Sequence, residues 1–362
     1  NRRMGKDLLM QFDIHTMDEK APQFIKSILT IDSLGYDCDY ISDRQLAKVR
    51  IEDGLLVTEG GTRYRALIIP SNTTIDSRLQ TLLTPISDYI IQGESAEDMA
   101  RFAKSEPMKT AFGLRAIRRK TTDGLHYFIA NLTPNDIKGE TTLAVPFTGA
   151  TWFNPMNGDI TPACVRDGKL CINLKSGESR ILQTSSQQTA SACEEQQPSE
   201  PIEIKGPWTL TFTEESPRVE DTFHLDTLQT WETLSDSAAI TMGTGIYTTT
   251  FQLTGKQAKR HWHINLGDVR ESARVYLNGQ FLGCAWAVPY ILDCHDATRK
   301  GRNQLRIEVT NLPANRIADL DRRGVVWRKF NEINVVDINY HKTTYAQWAP
   351  VPSGLRSKIT LQ

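Results

Sequence analysis

The sequence predicts a multidomain chain: a truncated open α/β sheet, a small β-sandwich, then a larger jelly-roll β-sandwich. Three observations carry that prediction. Strand–helix alternation runs only to about residue 111, the apolar pattern from Gly113 onward is purely period two, and a polar stretch ending in proline, SSQQTASACEEQQPSE (Ser185–Glu200), separates the second part from the third. The expected divisions are 1–111 for the α/β domain, 112–184 for the small sandwich, 185–204 for a linker and 205–362 for the jelly roll. A chain of 362 residues is too long for one ordinary domain, so two or three are expected.

In the first part, Phe24, Ile25, Ile28, Leu29 and Ile31 recur at helical spacing within Ala21–Leu34, and Gly35 stands where a C-cap belongs. Tyr36–Ser42 reads as a short strand. Ala66–Pro70 (ALIIP) is a continuous apolar run ended by proline, as expected for a parallel strand buried on both faces. Leu79–Ile86 and Ala96–Ala103 read as helices, and too few strands are evident to fill a doubly wound sheet.

In the second part, strands are expected at Leu114–Lys120, Leu125–Leu132, Thr141–Phe147, Thr151–Asn154 and Leu170–Leu174, separated by turn clusters such as Asn157-Gly158-Asp159. In the third, Trp208–Phe212, Tyr247–Leu253, His261–Leu266, Ala273–Leu277 and Leu305–Val309 alternate apolar and polar, and Ser357–Leu361 closes the chain. Asn278-Gly279 predicts a type I′ hairpin, because both central residues of that turn need positive φ. Phe281–Trp286 is the returning strand. A helix is expected over Arg316–Arg323, capped by Asn315 and ended by Gly324, with Ile317 and Leu320 facing inward beside a strand at Val325–Phe330.

Charge is balanced, with 42 basic and 43 acidic residues, so nothing points to a nucleic-acid surface or a polybasic membrane anchor. No apolar run approaches the roughly 18 residues of a membrane span. The chain opens at Asn1 with neither Met nor a signal-peptide core, and reads as a processed protein or a piece of a longer one. Six cysteines show no CxxC and the seven histidines no metal-ligand spacing. Cys164 and Cys171 are placed to bridge a hairpin or to remain free thiols. Asn72-Thr73-Thr74 and Asn131-Leu132-Thr133 match the glycosylation sequon.

Several stretches resemble known sequences. GYDCDYISDRQL (Gly35–Leu46) with GTRYRALIIP (Gly61–Pro70) resembles the amidotransferase-like, flavodoxin-like α/β domain that follows the catalytic barrel in large bacterial glycosidases. FGLRAIRRKTTDGLHYFIANLT (Phe112–Thr133), with WFNPMNGDI and KSGESRILQT, resembles the small sandwich after it. LGDVRESARVYLNG, NLPANRIADLDRRGVVWRKFNEIN (Asn311–Asn334) and WAPVPSGLRSKITL resemble the galactose-binding-like jelly roll of glycoside hydrolases related to β-galactosidase and β-glucuronidase. Together they resemble the C-terminal portion of an α-L-rhamnosidase-like glycoside hydrolase of the kind gut Bacteroidetes use on plant polysaccharides. The resemblance implies a periplasmic or secreted enzyme whose catalytic barrel precedes Asn1, so no catalytic residue is carried onto this chain. It implies carbohydrate and that barrel as partners, and no cofactor. A structural Ca²⁺ on loop oxygens fits jelly rolls of this type, although nothing in the sequence singles out its ligands.

A glycosidase needs two carboxyl groups flanking one bond. The acids in suggestive places are Asp268, Glu271, Asp319, Asp321, Glu332 and Asp337, but acids in sandwich loops more often satisfy turns and arginines. An Asx turn accounts for Asp268, and ion pairing with Arg316, Arg322 and Arg323 accounts for Asp319 and Asp321. Sugar binding is the stronger expectation, since aromatic faces stack on a sugar's C–H face while amides and charged groups bind its hydroxyls. The candidates for carbohydrate binding or domain docking are Arg270, Glu271, Asn278, Trp286, Asn315, Arg316, Asp321, Arg322, Trp327, Asn331 and Trp348, with Tyr290, Tyr340 and Tyr345 nearby. Trp208 and Trp262, on their strands, read as core.

Overall fold

The computed structural model describes residues 8–11, 17–71, 73–122, 124–187, 200–329 and 343–362. They form two compact units, 1–195 and 196–362.

The first unit begins with a four-stranded, all-parallel sheet, ordered Cys38–Ile41, Leu8–Gln11, Ala66–Ile69, Ile90–Gln92. The ALII run behaves as its composition predicts. Ala66 and Ile68 enter one apolar core with Ile31, Tyr36 and Met99, while Leu67 and Ile69 enter another with Leu56, Leu79 and Leu83. A strand buried on both faces needs cover on both. Helices Met17–Ser33 and Ala96–Ala100 supply it on one side, and helix Ser77–Leu83 with the meander Arg50–Glu52, Leu55–Val57, Arg63–Tyr64 supplies it on the other. Neither the Leu8–Gln11 strand nor the meander was expected from the sequence. Cys38 is buried in this core.

Beyond helix Pro107–Phe112, which Gly113 ends at φ +67°, the unit continues as a five-stranded and a three-stranded antiparallel sheet around Tyr127, Ile129, Ala150, Leu170, Ile172 and Leu182. One expected strand is corrected. Thr141–Phe147 is mostly loop, and the strand lies at Ile137–Thr141. The Ala144 N–H donates to the Glu106 carboxylate at 3.0 Å instead of to a ladder, and Pro146 has no N–H to offer. Burial raises the Glu106 carboxyl, against the lowering effect of that N–H and of Arg118. Ser179–Ser185, unexpected as a strand, forms the middle of the five-stranded sheet. The Asn131 sequon is a turn: Asn131 is wholly buried, donates to the Asn135, Leu174 and Lys175 carbonyls and accepts from Thr133. Asn72 lies outside the described residues. Cys171 is a free thiol whose Sγ sits 2.9 Å from that of Cys164.

The second unit is a sandwich of two antiparallel sheets. The larger is ordered Phe223–Leu225, Trp208–Ser216, Met242–Leu253, Gly301–Thr310, Ser272–Leu277, Gln280–Ala285; the smaller is ordered Ile202–Ile204, Ile359–Leu361, His263–Asn265, Ile291–Asp293. Period-two alternation sends Ala273, Val275, Leu277, Leu305, Ile307 and Val309 from the larger sheet into one core with Ile264, Ile359 and Leu361 from the smaller. Burying each Val, Leu or Ile there contributes about 1.5–3 kcal/mol before entropy is charged. Trp208 and Trp262 lie in that core as expected, joined by Trp231. Asn278 and Gly279 form the hairpin at φ +53° and +86°.

Candidate functional site

The site is organised around one short helix, Ala314–Arg322, which packs on helix Asp236–Ile240 and on the Met242–Leu253 strand. Its C-terminus is a Schellman motif. The Gly324 N–H donates to the Asp321 carbonyl at 3.1 Å and the Val325 N–H to the Leu320 carbonyl at 2.9 Å, with Gly324 at φ +68°. The motif turns the chain back, so that Trp327 reaches the helix end.

Two details of the helix differ from expectation. Pro313 occupies the N-cap position, and Asn315 lies within the first turn, buried, with its amide donating to the Val351 carbonyl and accepting from the Val351 N–H, both at 2.8 Å. The inward residues are therefore Asn315 and Ala318, while Ile317 and Leu320 are only partly buried. The reason is the neighbour: the 343–353 segment offers the helix a backbone that needs hydrogen bonds, so an amide faces it. Residues 325–329 make no strand.

Asp321 works as a staple. Its carboxylate accepts the Trp327 indole N–H at 2.7 Å, the Tyr345 backbone N–H at 2.7 Å and the Thr344 hydroxyl at 3.4 Å. The Tyr345 N–H foremost, and then the indole, hold this carboxyl below the usual carboxylate range. Ion pairing with Arg322, the expected explanation for Asp321, is replaced by these neutral donors. Arg322 instead donates to the Ala346 carbonyl at 3.0 Å and the Trp348 carbonyl at 3.1 Å. Ion pairing does account for Asp319, which Arg316 meets at 2.9 Å and Arg323 at 3.6 Å.

The pinned segments carry a row of rings. Tyr345 and Trp348 have centroids 4.3 Å apart, and the Arg328 guanidinium lies 5.2 Å from the Trp327 centroid and 5.0 Å from that of Tyr345. Arg328 also donates to the Thr343 carbonyl at 2.6 Å. Trp348 is 45% exposed, so the outer end of this ledge is open. Arg328 and Thr344 were not among the expected residues; the Trp327-Arg328 dipeptide was the available signal, since a guanidinium beside an indole favours cation–π contact.

The remaining candidates fall into other groups. Arg270 binds Asp268 through two nitrogens, at 2.7 and 3.0 Å, and Gly354 is its partner across a two-residue ladder. The Asx turn belongs to Asn265, whose side-chain oxygen accepts the Gly267 N–H at 2.9 Å, and not to Asp268. The Glu271 N–H donates to the Thr310 carbonyl, and Glu271 lies close enough to Tyr290 to help burial raise the phenol. Tyr290 belongs to the core, and Trp286 is 63% exposed. Asn278 is committed internally, donating to the Ala297 carbonyl and the Asn303 amide oxygen and accepting the Gln304 N–H. Asn331, Tyr340, Glu332 and Asp337 lie outside the described residues.

Residues 231–353, within the second unit's β-sandwich, match the family described as glycosyl hydrolase 2 galactose-binding domain-like, so that stretch is similar to the galactose-binding-like domains of glycoside hydrolases. A Formosa agariphila protein named putative beta-glucuronidase is 28% identical over 161 residues, which is 41% of this chain and 14% of that protein. Among solved structures, a rhamnosidase from Novosphingobium superposes over 100% of this chain with a TM-score of 0.67 at 18% identity. That likeness is one of fold. The chain spans 39% of the rhamnosidase's length.

Proposed function

We propose that this chain is the non-catalytic accessory region of a larger, α-L-rhamnosidase-like glycoside hydrolase acting on plant or complex polysaccharides. In this reading the galactose-binding-like unit presents the Trp327–Tyr345–Trp348 ledge beside the substrate site of a catalytic barrel in the same polypeptide. The observation that carries it is the ledge: neighbouring rings tilted by about 40°, with Trp348 exposed at the outer end, tied down by Asp321 and Arg322. Rings held at fixed spacing stack on a pyranose at little entropic cost. Asp321, Arg322, Asn315 and Asn278 already spend their hydrogen bonds inside the domain, which favours a ledge completing a shared site over a stand-alone sugar-binding module. The first unit's parallel sheet is then the amidotransferase-like, flavodoxin-like domain of such enzymes, and the protein is periplasmic or secreted. The division near residues 111 and 185–204 belongs to the same proposal and is checked by limited proteolysis, with the first cut expected between Ser185 and Glu200, ahead of the Ile202–Ile204 strand.

The test uses the product of the complete gene. Trp348→Ala should raise KM for a rhamnose-bearing oligosaccharide several-fold and leave turnover of a small aryl rhamnoside near wild type. The 362-residue chain alone should hydrolyse neither. Turnover of an aryl glycoside by this chain, abolished by Glu271→Gln, would overturn the accessory reading.

A further inference from the structure

On the outer face of the smaller sheet, far in sequence from the ledge, strand pairing gathers a second set of polar side chains. His261 and His263 are two apart on an extended segment, so both project from the face opposite the buried Trp262. Asp293 is the antiparallel partner of His263. One nitrogen from each imidazole and one oxygen of the carboxylate all lie within 4.8 Å of one another, and His261 Nε2 is already 3.1 Å from Asp293 Oδ2. His295 joins from the same turn, its backbone N–H donating to Asp293 Oδ1 at 2.6 Å and its ring Nδ1 lying 3.6 Å from Oδ2.

We propose that His261, His263 and Asp293 bind a borderline divalent metal ion, Zn²⁺ by preference, with His295 or water as the fourth ligand. Two ligands at about 2.1 Å from a tetrahedral ion stand about 3.4 Å apart, close to the separation that His261 and Asp293 already have. Two imidazoles and a single carboxylate suit Zn²⁺, Ni²⁺ or Cu²⁺ and are poor for Ca²⁺ or Mg²⁺, which demand oxygen. Cys294, between Asp293 and His295, is wholly buried and turns into the core, so it is no ligand. Ile291–Asp293 is the edge strand of its sheet, and an ion bridging it to the histidine segment would clamp that edge. Spacing alone did not show this site, because its third ligand comes from 30 residues away through register.

The experiment is Zn²⁺ titration of the tag-free, metal-stripped 362-residue chain by calorimetry, with Co²⁺ absorption as a report of tetrahedral geometry. One ion per chain is expected, with affinity weakened at least tenfold in His261→Asn and in His263→Asn. Affinity should also weaken in acid, since metal binding requires deprotonated ligands. His261 is 64% exposed at its side chain, so His261→Asn should fold normally, and circular dichroism checks that it does. Millimolar or weaker binding, or wild-type affinity in His261→Asn, would overturn the site.

Discussion

The second unit contains two aromatic–polar clusters made from the same returning segment, and they differ in which way they face. In the first, the Trp231 indole donates to the Tyr247 hydroxyl at 2.7 Å, the Leu355 N–H donates to that hydroxyl at 3.2 Å, and the Trp231 N–H donates to the Ser353 carbonyl at 3.1 Å. Everything there is buried, and burial pushes the Tyr247 phenol up to about 12. In the second, ten residues or fewer upstream, Tyr345 and Trp348 meet Asp321, Trp327 and Arg328 at the surface. The chemistry is alike, with indole N–H groups bonded to oxygen and rings in contact. A closed cluster has no face left for a ligand and holds the fold; an open one keeps a face and is available for binding. Inspection of residue types alone does not separate them.

Substitutions should break the two clusters in different ways. The largest loss is expected for Gly354→Ala. Gly354 stands at φ +91°, and a Cβ there would collide with the Tyr247 hydroxyl and lie 2.6 Å from Trp231 Cδ1. Strain and overpacking together should cost about 3–5 kcal/mol in urea unfolding. A loss under about 1 kcal/mol would mean that this closed Trp231–Tyr247–Leu355 cluster, the knot, is loose. Asn315→Ala comes next. It leaves both polar groups of Val351 without their partner, and about 1–3 kcal/mol is expected.

Arg322→Ala should cost no more than about 1 kcal/mol, because the guanidinium is exposed and holds only the carbonyls of a surface loop. A loss of several kcal/mol would make the ledge a structural element like the knot. The smallest effect is one of pH. The Asp321 carboxyl is depressed in the folded state, so its contribution is fully present above the unfolded value of about 3.9 and is lost as pH falls through the folded one. The Trp327 environment, read by fluorescence, should stay constant from neutral pH down to about pH 5 and change only in stronger acid. A transition near neutrality would refute the Asp321 staple.

Much of the framework was legible. The Asn278-Gly279 turn, the alternation at Ala273–Leu277 and Leu305–Val309, and the doubly buried ALII run all appear where their local patterns place them. Misreadings fell where a distant partner overrode a local preference. Asn315 resembled a cap but bonds Val351, 36 residues on. Thr141–Phe147 resembled a strand but is held by Glu106, and Asp321 resembled half of an ion pair but collects neutral donors.

Periodicity and turn chemistry are properties of consecutive residues, so the chain alone determined the strands with clean alternation, such as Ala273–Leu277 and Leu305–Val309, and the Asn278-Gly279 hairpin turn. Whether a tryptophan closes a core or opens a ledge depends on what arrives over it from elsewhere. Trp231 is covered because Ser353, Gly354 and Leu355 return across it, whereas Trp348, a few residues earlier on the same segment, keeps one face free. Likewise His261 and His263 meet Asp293 only because register sets it opposite them. Contacts of that kind span tens to more than a hundred residues of chain, and only the folded sandwich brings their parts within hydrogen-bond distance.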